Sequence, residues 1–320
     1  MKNIISLVFT ILIAAGMIVV GWISGFELAE NQLETLKIVG IVCLASIAYC
    51  FIVGEISRNN SQMDKLWSIL PIAYTWIVVF MSNFNFRTII IAVVATLWGV
   101  RLTYNFAKKG AYKLKFWEGE EDYRWKILRA KKPLSNKFVW ALFDLFFISL
   151  FQNVVVCGMT LPSIVVMNSE ASFGVVDLVA SIFAVSFLVY EVIADHQQNK
   201  FQVKKYEMLN SGKKLNELPE PYSRGFNVTG LWKYSRHPNY LGEQGIWVSV
   251  YLFVLATEAA KWGVFNWSIT GCMLLILVFA GSSRMSEAIS CKKYVEFPTY
   301  QKQVFKYLPF KGYKGIEKEN

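Results

Sequence analysis

The chain has 320 residues, of which 54% are hydrophobic, 16% aromatic and only 18% charged, with a formal net charge of +10. That is more apolar surface than a soluble domain of this size can bury, which excludes a soluble enzyme and points to an all-α polytopic membrane protein. A basic excess without a soluble basic surface also excludes nucleic acid as a partner.

Crossing a hydrocarbon core of roughly 30 Å takes about 20 mostly apolar residues. Eight stretches qualify or come close: 4–25, 38–54, 66–82, 88–107, 138–161, 173–194, 241–257 and 264–283. The first has no basic region beyond Lys2 and no clear small-x-small cleavage site, so it reads as a span and not a signal peptide. After it comes "ELAENQLE", with three glutamates and no basic residue, and after the fifth span the acidic "SEAS". By contrast, 26 of the 33 Lys and Arg residues fall in three segments: ten in 108–137, eight in 195–237 and eight in 284–320. The positive-inside rule puts those segments, and therefore both termini, in the cytoplasm. The membrane would be a bacterial inner membrane, or the endoplasmic reticulum in a eukaryote.

Within this frame the chain reads as a single integral membrane domain over 1–320, with no internal repeat. Five cysteines, mostly inside apolar runs and without paired spacing, indicate neither a metal site nor a disulfide framework. Segment 108–137 mixes Trp, Tyr and Phe with lysines, as an interfacial segment does. Several spans carry polar or ionisable residues: Arg101, Asp144, Gln152, Asn153, Asp177 and Glu191. Such groups are costly in a bilayer, so they either pair across helices, snorkel to the edge or serve a site.

The densest polar stretch is "KYSRHPNYLGEQ", 233–244, just before the seventh span. Pro238 suits the first position of a helix. The free N–H groups of that helix end favour an anion, and Arg236 adds a bidentate phosphate donor. Asn239 and Glu243, four apart, share a helix face and offer acceptors to a polar ring or ribose. Glu191 and Asp195 repeat that spacing at the end of the sixth span, followed by Lys200, Lys204 and Lys205, and Arg284 and Glu287 lie three apart at the end of the eighth. Carboxylates and cations at three helix ends suit a ligand with both phosphates and hydrogen-bonding rings, such as a dinucleotide.

"GLWKYSRHPNYLGE", "EVIADHQQNKF" and "SSRMSEAISCKKYVEFPTYQKQV" resemble the C-terminal core of the steroid 5-alpha-reductase family, in particular its bacterial-type members. "NNSQMDKLWSI" and "LWGVRLTYNFAKKG" extend the resemblance over about residues 55–310. The resemblance implies NADPH bound in a cytoplasm-facing pocket formed by residues 138–320, with a hydrophobic or lipid substrate entering through the spans of 1–137. It implies that Asn239 and Glu243 hold the nicotinamide end, that Asp195, Arg236, His237, Tyr240 and Arg284 contact ribose and phosphates, and that Lys200 and Arg224 approach the 2′-phosphate. No metal and no obligate protein partner are implied. The implied reaction is hydride transfer to an activated C=C bond. The family's carbonyl-polarising Tyr aligns with Trp98 here, which leaves Asp64 and Tyr104 as the expected donors. Isoprenylcysteine carboxyl methyltransferases carry a similar Arg-His-Pro-x-Tyr segment, so the alternative is a membrane methyltransferase that uses S-adenosylmethionine.

Overall fold

The computed structural model describes residues 2–24 and 27–315, with side chains from residue 11 onward except those of Ser24 and Trp262. Both chain ends, expected in the cytoplasm, lie outside the described residues. Twelve α-helices run in order among those described. They are α1 Lys2–Ser24, α2 Glu30–Ser57, α3 Gln62–Leu66, α4 Leu70–Met81, α5 Phe86–Ala107, α6 Tyr123–Arg129, α7 Lys137–Phe143, α8 Gln152–Val166, α9 Val175–Asn210, α10 Pro238–Leu252, α11 Thr270–Lys293 and α12 Phe297–Gln303. A π-helix, Asp144–Phe151, joins α7 to α8. Extended backbone pairs only at the isolated bridge between Ser235 and Phe305 among the described residues, so the protein is all-α.

Among the described residues, five helices are long and apolar enough to cross a membrane: Glu30–Ser57, Phe86–Ala107, Lys137–Val166, Val175–Asn210 and Trp267–Lys293. At 1.5 Å per residue the 28 residues of α2 reach about 42 Å, comfortably more than a bilayer core. Two of the other expected spans appear as shorter apolar stretches, Ile11–Ile23 and Leu70–Met81. The stretch expected over 241–257 is a 15-residue helix that gives way to 3-10 turns after Leu252. The chain is a multi-pass membrane protein by these helices.

The chain packs as two compact units. The N-terminal unit, Ile11–Ser181 with Val248–Leu275, is centred on α2, α4, α5 and α8. The buried face of α2 is Gln32, Thr35, Val39, Cys43, Ser46, Cys50 and Gly54, at helical spacing and mostly small or polar. Its large apolar residues Leu33, Ile41, Leu44, Ile52 and Ile56 are exposed. This inversion is expected where the solvent is lipid, because helices then associate through close packing and interhelical hydrogen bonds.

Two polar knots tie this unit together. At one, Arg87 at the start of α5 meets Asp177 in the first turn of α9 through Nε–Oδ1 at 2.7 Å and Nη2–Oδ2 at 2.9 Å. The remaining guanidinium donors close the loop before α9, at the carbonyls of Ala171 (2.7 Å) and Ser172 (3.0 Å). At the other, buried Asp144 accepts from Asn60 Nδ2 at 2.8 Å and from Ser149 Oγ at 3.3 Å. The five-residue offset of Ser149 is the offset a π-helix stacks on itself, so the π-turn serves to aim both side chains inward. The intramembrane residues Asp144 and Asp177 therefore have protein partners.

Close approach matters most at Gly271. A Cβ there would lie 1.8 Å from the carbonyl carbon of Gly158 on α8, so no side chain fits. Gly271→Ala is expected to destabilise the protein by about 1–3 kcal/mol or more, because the clash is with backbone and cannot relax through a rotamer. A thermal melt of the detergent-solubilised variant checks this, with Gly16→Ala, which meets open space, as the control.

Candidate functional site

The C-terminal unit comprises Ile182–Trp247 and Ile276–Asn320, together with the start of α1. Its loops are anchored by a largely aromatic hydrophobic core of Phe226, Phe297, Tyr300, Val304 and Tyr313. Tyr300 extends its hydroxyl from that core to the carbonyls of Trp232 and Ser235. From the other side the strap 230–237 is held to α9. Leu231 N–H donates to Gln197 Oε1 at 2.8 Å, and Trp232 Nε1 donates to the carbonyl of Ala194 at 2.9 Å. The strap then runs beside the tail, with Arg236 N–H on Phe305 O and His237 N–H on Lys306 O. Pro238 follows as the first residue of α10, as its fixed φ predicts.

These anchors converge on Glu287 of α11, which is buried. Its carboxylate accepts from Arg236 Nε at 2.7 Å and Nη2 at 3.3 Å, from His237 Nε2 at 2.9 Å and from Gln301 Nε2 at 2.6 Å. Arg236 Nη1 donates to the carbonyls of Gln301 and Val304. Four of the five guanidinium N–H groups are thus committed to the protein, which leaves one for a ligand. His237 stacks on Tyr240 at 5.0 Å and 13°, and Tyr240 packs on Phe279 at 4.5 Å. Burial lowers the pKa of His237, and this outweighs the raising effect of Glu287. The imidazole is therefore neutral at pH 7, with its Nε2 hydrogen on the carboxylate.

The glycines of "YLGEQG" set the approach of α10 to α9. A Cβ at Gly242 would lie 2.6 Å from Glu191 Cβ, and one at Gly245 would lie 2.3 Å from the ring of Phe187. Buried Glu191 and Glu243 and half-buried Asp195 and Asn239 belong to these two helices. Asn239 Oδ1 and Gln198 Oε1 are buried acceptors without a hydrogen-bond partner among the described residues. A buried polar atom left unpaired costs about 1–3 kcal/mol, so such atoms mark places where a donor belongs.

Of the expected cofactor ligands, Arg236, His237 and Tyr240 form one contiguous cluster. Arg284 is exposed one helical turn before Glu287. Lys200 is exposed on α9. Arg224 is drawn elsewhere: it pairs with Glu220 at 2.7 Å and Glu296 at 3.3 Å and lies over Tyr313. Lys205 is buried, donating to Gly225 O at 2.9 Å with its ammonium over Tyr206, and so serves as a structural pin. The two expected proton donors belong to the N-terminal unit. Asp64 accepts from Trp125 Nε1 at 2.7 Å and faces Arg124 at 3.7 Å, and its pKa is raised by burial. Tyr104 is exposed, with the Lys108 ammonium 4.2 Å from its ring centroid. Among the described residues no group of His, Cys, Asp and Glu is arranged to hold a metal.

Sequence reading placed Glu287 only as a neighbour of Arg284; its role as hub needed the fold. Gln301 belongs to the quoted segment "SSRMSEAISCKKYVEFPTYQKQV" and Lys306 to the basic segment 284–320, but nothing in the sequence ties either of them, or Tyr307, to Glu287. Lys306 is half-buried, and its pKa is lowered by burial, with Glu287 opposing and Arg236 and Arg284 adding to the fall, so these three cations and Glu287 share one locality.

A membrane-embedded helical protein with a buried Arg–Glu–His cluster at one helix start is the class these features define. The chain belongs to the DUF1295 family, described as a protein of unknown function, whose match covers residues 50–304. It is 36% identical over 280 residues to the uncharacterized protein C594.04c of Schizosaccharomyces pombe, covering 81% of this chain and 77% of that protein. No solved structure matches it.

Glu287→Gln would leave the buried guanidinium of Arg236 without its counter-charge, a loss of about 3–5 kcal/mol, read as a fall in detergent Tm. His237 gives a pH signature. Unfolding frees it to protonate near pH 6.5, whereas the folded imidazole resists, so stability falls as pH drops below about 6.5. His237→Gln should flatten that acid limb of a pH–Tm profile.

Proposed function

We propose that this protein is a membrane-embedded reductase of the steroid 5-alpha-reductase type. It would use NADPH to reduce an activated C=C bond of a hydrophobic small molecule or lipid. The reading takes eight spans, with the three basic segments and both termini facing the cytoplasm. The observation that carries it is Asn239 Oδ1, a buried acceptor without a partner in the first turn of α10, beside the Arg236–Glu287–His237 cluster. A nicotinamide carboxamide offers the N–H that such an acceptor lacks. The phosphates of a dinucleotide would meet Arg284, Lys306 and the last N–H of Arg236, with Lys200 nearer the 2′-phosphate.

When bound, NADPH supplies a hydride. The chain's own residues would hold and orient it, the Glu287 cluster fixing Arg236 and His237 in place so that little order is lost on binding. An acid must also steady charge on the substrate carbonyl. Of the two expected donors Asp64 is the better acid, because burial favours its protonated form, whereas Tyr104 lies exposed.

Thermal shift of the solubilised full chain tests the reading. NADPH at a hundred times Kd is expected to stabilise by about 2.7 kcal/mol, more than NADH does at the same concentration. Asn239→Ala should abolish that gain while leaving the unliganded Tm unchanged, since its Oδ1 has no internal partner to lose. Stabilisation by S-adenosylmethionine and not by NADPH would replace the reductase with a methyltransferase. Lys306 adds a pH test: an anion needs its charged form, so NADPH affinity should weaken as pH rises toward the lowered pKa of Lys306, and Lys306→Gln should remove that dependence.

A further inference from the structure

The stretch "NNSQMDKL" holds a lysine that neither the cofactor reading nor the spans explain. Lys65 is fully buried, which is costly for an ammonium group unless its hydrogens are matched. Its Nζ donates to the backbone carbonyls of Phe116 and Glu118, each at 2.6 Å. Gln62 Nε2 donates to Trp117 O at 3.0 Å, and Asn59 Nδ2 donates to Gly119 O at 3.0 Å. Four consecutive carbonyls, 116–119, are thus gripped by three side chains placed three residues apart. The Tyr112 hydroxyl returns to Lys65 O at 2.8 Å, and Glu120 N–H closes the loop on Gly110 O at 3.0 Å.

A loop gripped by its backbone has its side chains free to face outward. Leu114 is 109% exposed and Trp117 48% exposed, flanked by exposed Lys113 and Lys115. The charge around them is one-sided: 108–137 holds ten basic residues against four acidic. Three of the four acids are already engaged, Glu118 by Lys115, Glu121 by Arg129 and Asp122 by Arg124. Lys109, Lys113 and Lys126 are exposed, and no ion pair engages them among the described residues. Leu114 lies seven residues beyond the end of α5, so it stays within about 25 Å of a membrane-crossing helix end. Such a rigid loop, apolar at its tip and cationic at its flanks, matches an anionic headgroup layer in both charge and depth.

We infer that the loop 110–120 is a membrane-surface reader that inserts Leu114 and Trp117 among anionic phospholipids, and that Asn59, Gln62 and Lys65 exist to hold it in that pose. The inference is independent of the NADPH reading, because it concerns lipid binding by the N-terminal unit alone.

The test places the full chain in nanodiscs containing brominated phosphatidylglycerol or brominated phosphatidylcholine at equal mole fraction. Tryptophan emission is read for the wild type and for Trp117→Phe, and the difference isolates Trp117 from the other ten tryptophans. The Trp117 component should be quenched several-fold more by the anionic lipid. In Lys109→Gln/Lys113→Gln that preference should fall, by roughly fivefold per lysine at most, with the Tm in neutral discs unchanged. Equal quenching by the two lipids overturns the anionic preference. Quenching of Trp117 by aqueous iodide and by neither lipid overturns insertion altogether, and leaves the loop as a surface for water or for another protein.

Discussion

Lipid offers no hydrogen bonds, and the rest of this structure depends on that constraint. The long helices turn Leu, Ile, Val and Phe outward and small or polar residues inward. A polar group placed inside must then be matched within the protein or remain a costly orphan. The result is a small number of dense knots: Arg87 with Asp177, Asp144 with Asn60 and Ser149, and Glu287 with Arg236, His237 and Gln301. Each knot joins segments far apart in sequence, so each also fixes which helices are neighbours.

The same constraint separates scaffold from site. Arg236 has nearly all its donors spent on Glu287 and two carbonyls, and Lys205 is held by Gly225 O and aromatic rings. Lys205 is thereby a structural pin, and Arg236 keeps a single N–H beyond those the protein engages. Asn239 and Gln198 are the opposite case, with buried acceptors that no described residue fills. A ligand with N–H donors would repair what the fold leaves undone, whereas a purely structural role would leave those atoms as unrecovered cost. The family match over residues 50–304 contains Asn239, Arg236 and Glu287 as well as the Lys65 clamp.

Buried lysines and arginines here also show how a membrane protein shapes its aqueous edge. Lys65 sits inside the N-terminal unit yet acts on backbone carbonyls of a loop whose side chains are exposed. Half-buried Arg129 acts on side chains instead, donating to Asn60 Oδ1 and Glu121 Oε1, and so links the Asp144 knot to the residue just after the loop. Rigid loops of this kind cost less order on meeting a surface than flexible ones.

The amino-acid sequence alone determined the helical class, the run of apolar segments and the uneven charge, because those depend on local hydropathy and period. It also located the start of α10 at Pro238, where a fixed φ and a missing N–H leave little choice. Helix lengths were less legible. α9 runs to Asn210, well past its apolar part, and α4 spans only Leu70–Met81. Hydropathy marks where lipid is, not where a helix ends. What only the tertiary structure decided was pairing. The sequence pattern shows Arg236, Glu287 and Gln301 as three separate polar residues, and nothing in their spacing says that one carboxylate gathers the others. Which buried charge meets which depends on helices brought together across 50 or more residues, such as the 51 between Arg236 and Glu287. That meeting is governed by three-dimensional packing and the cost of an unmatched charge, and neither is written in any local window of sequence.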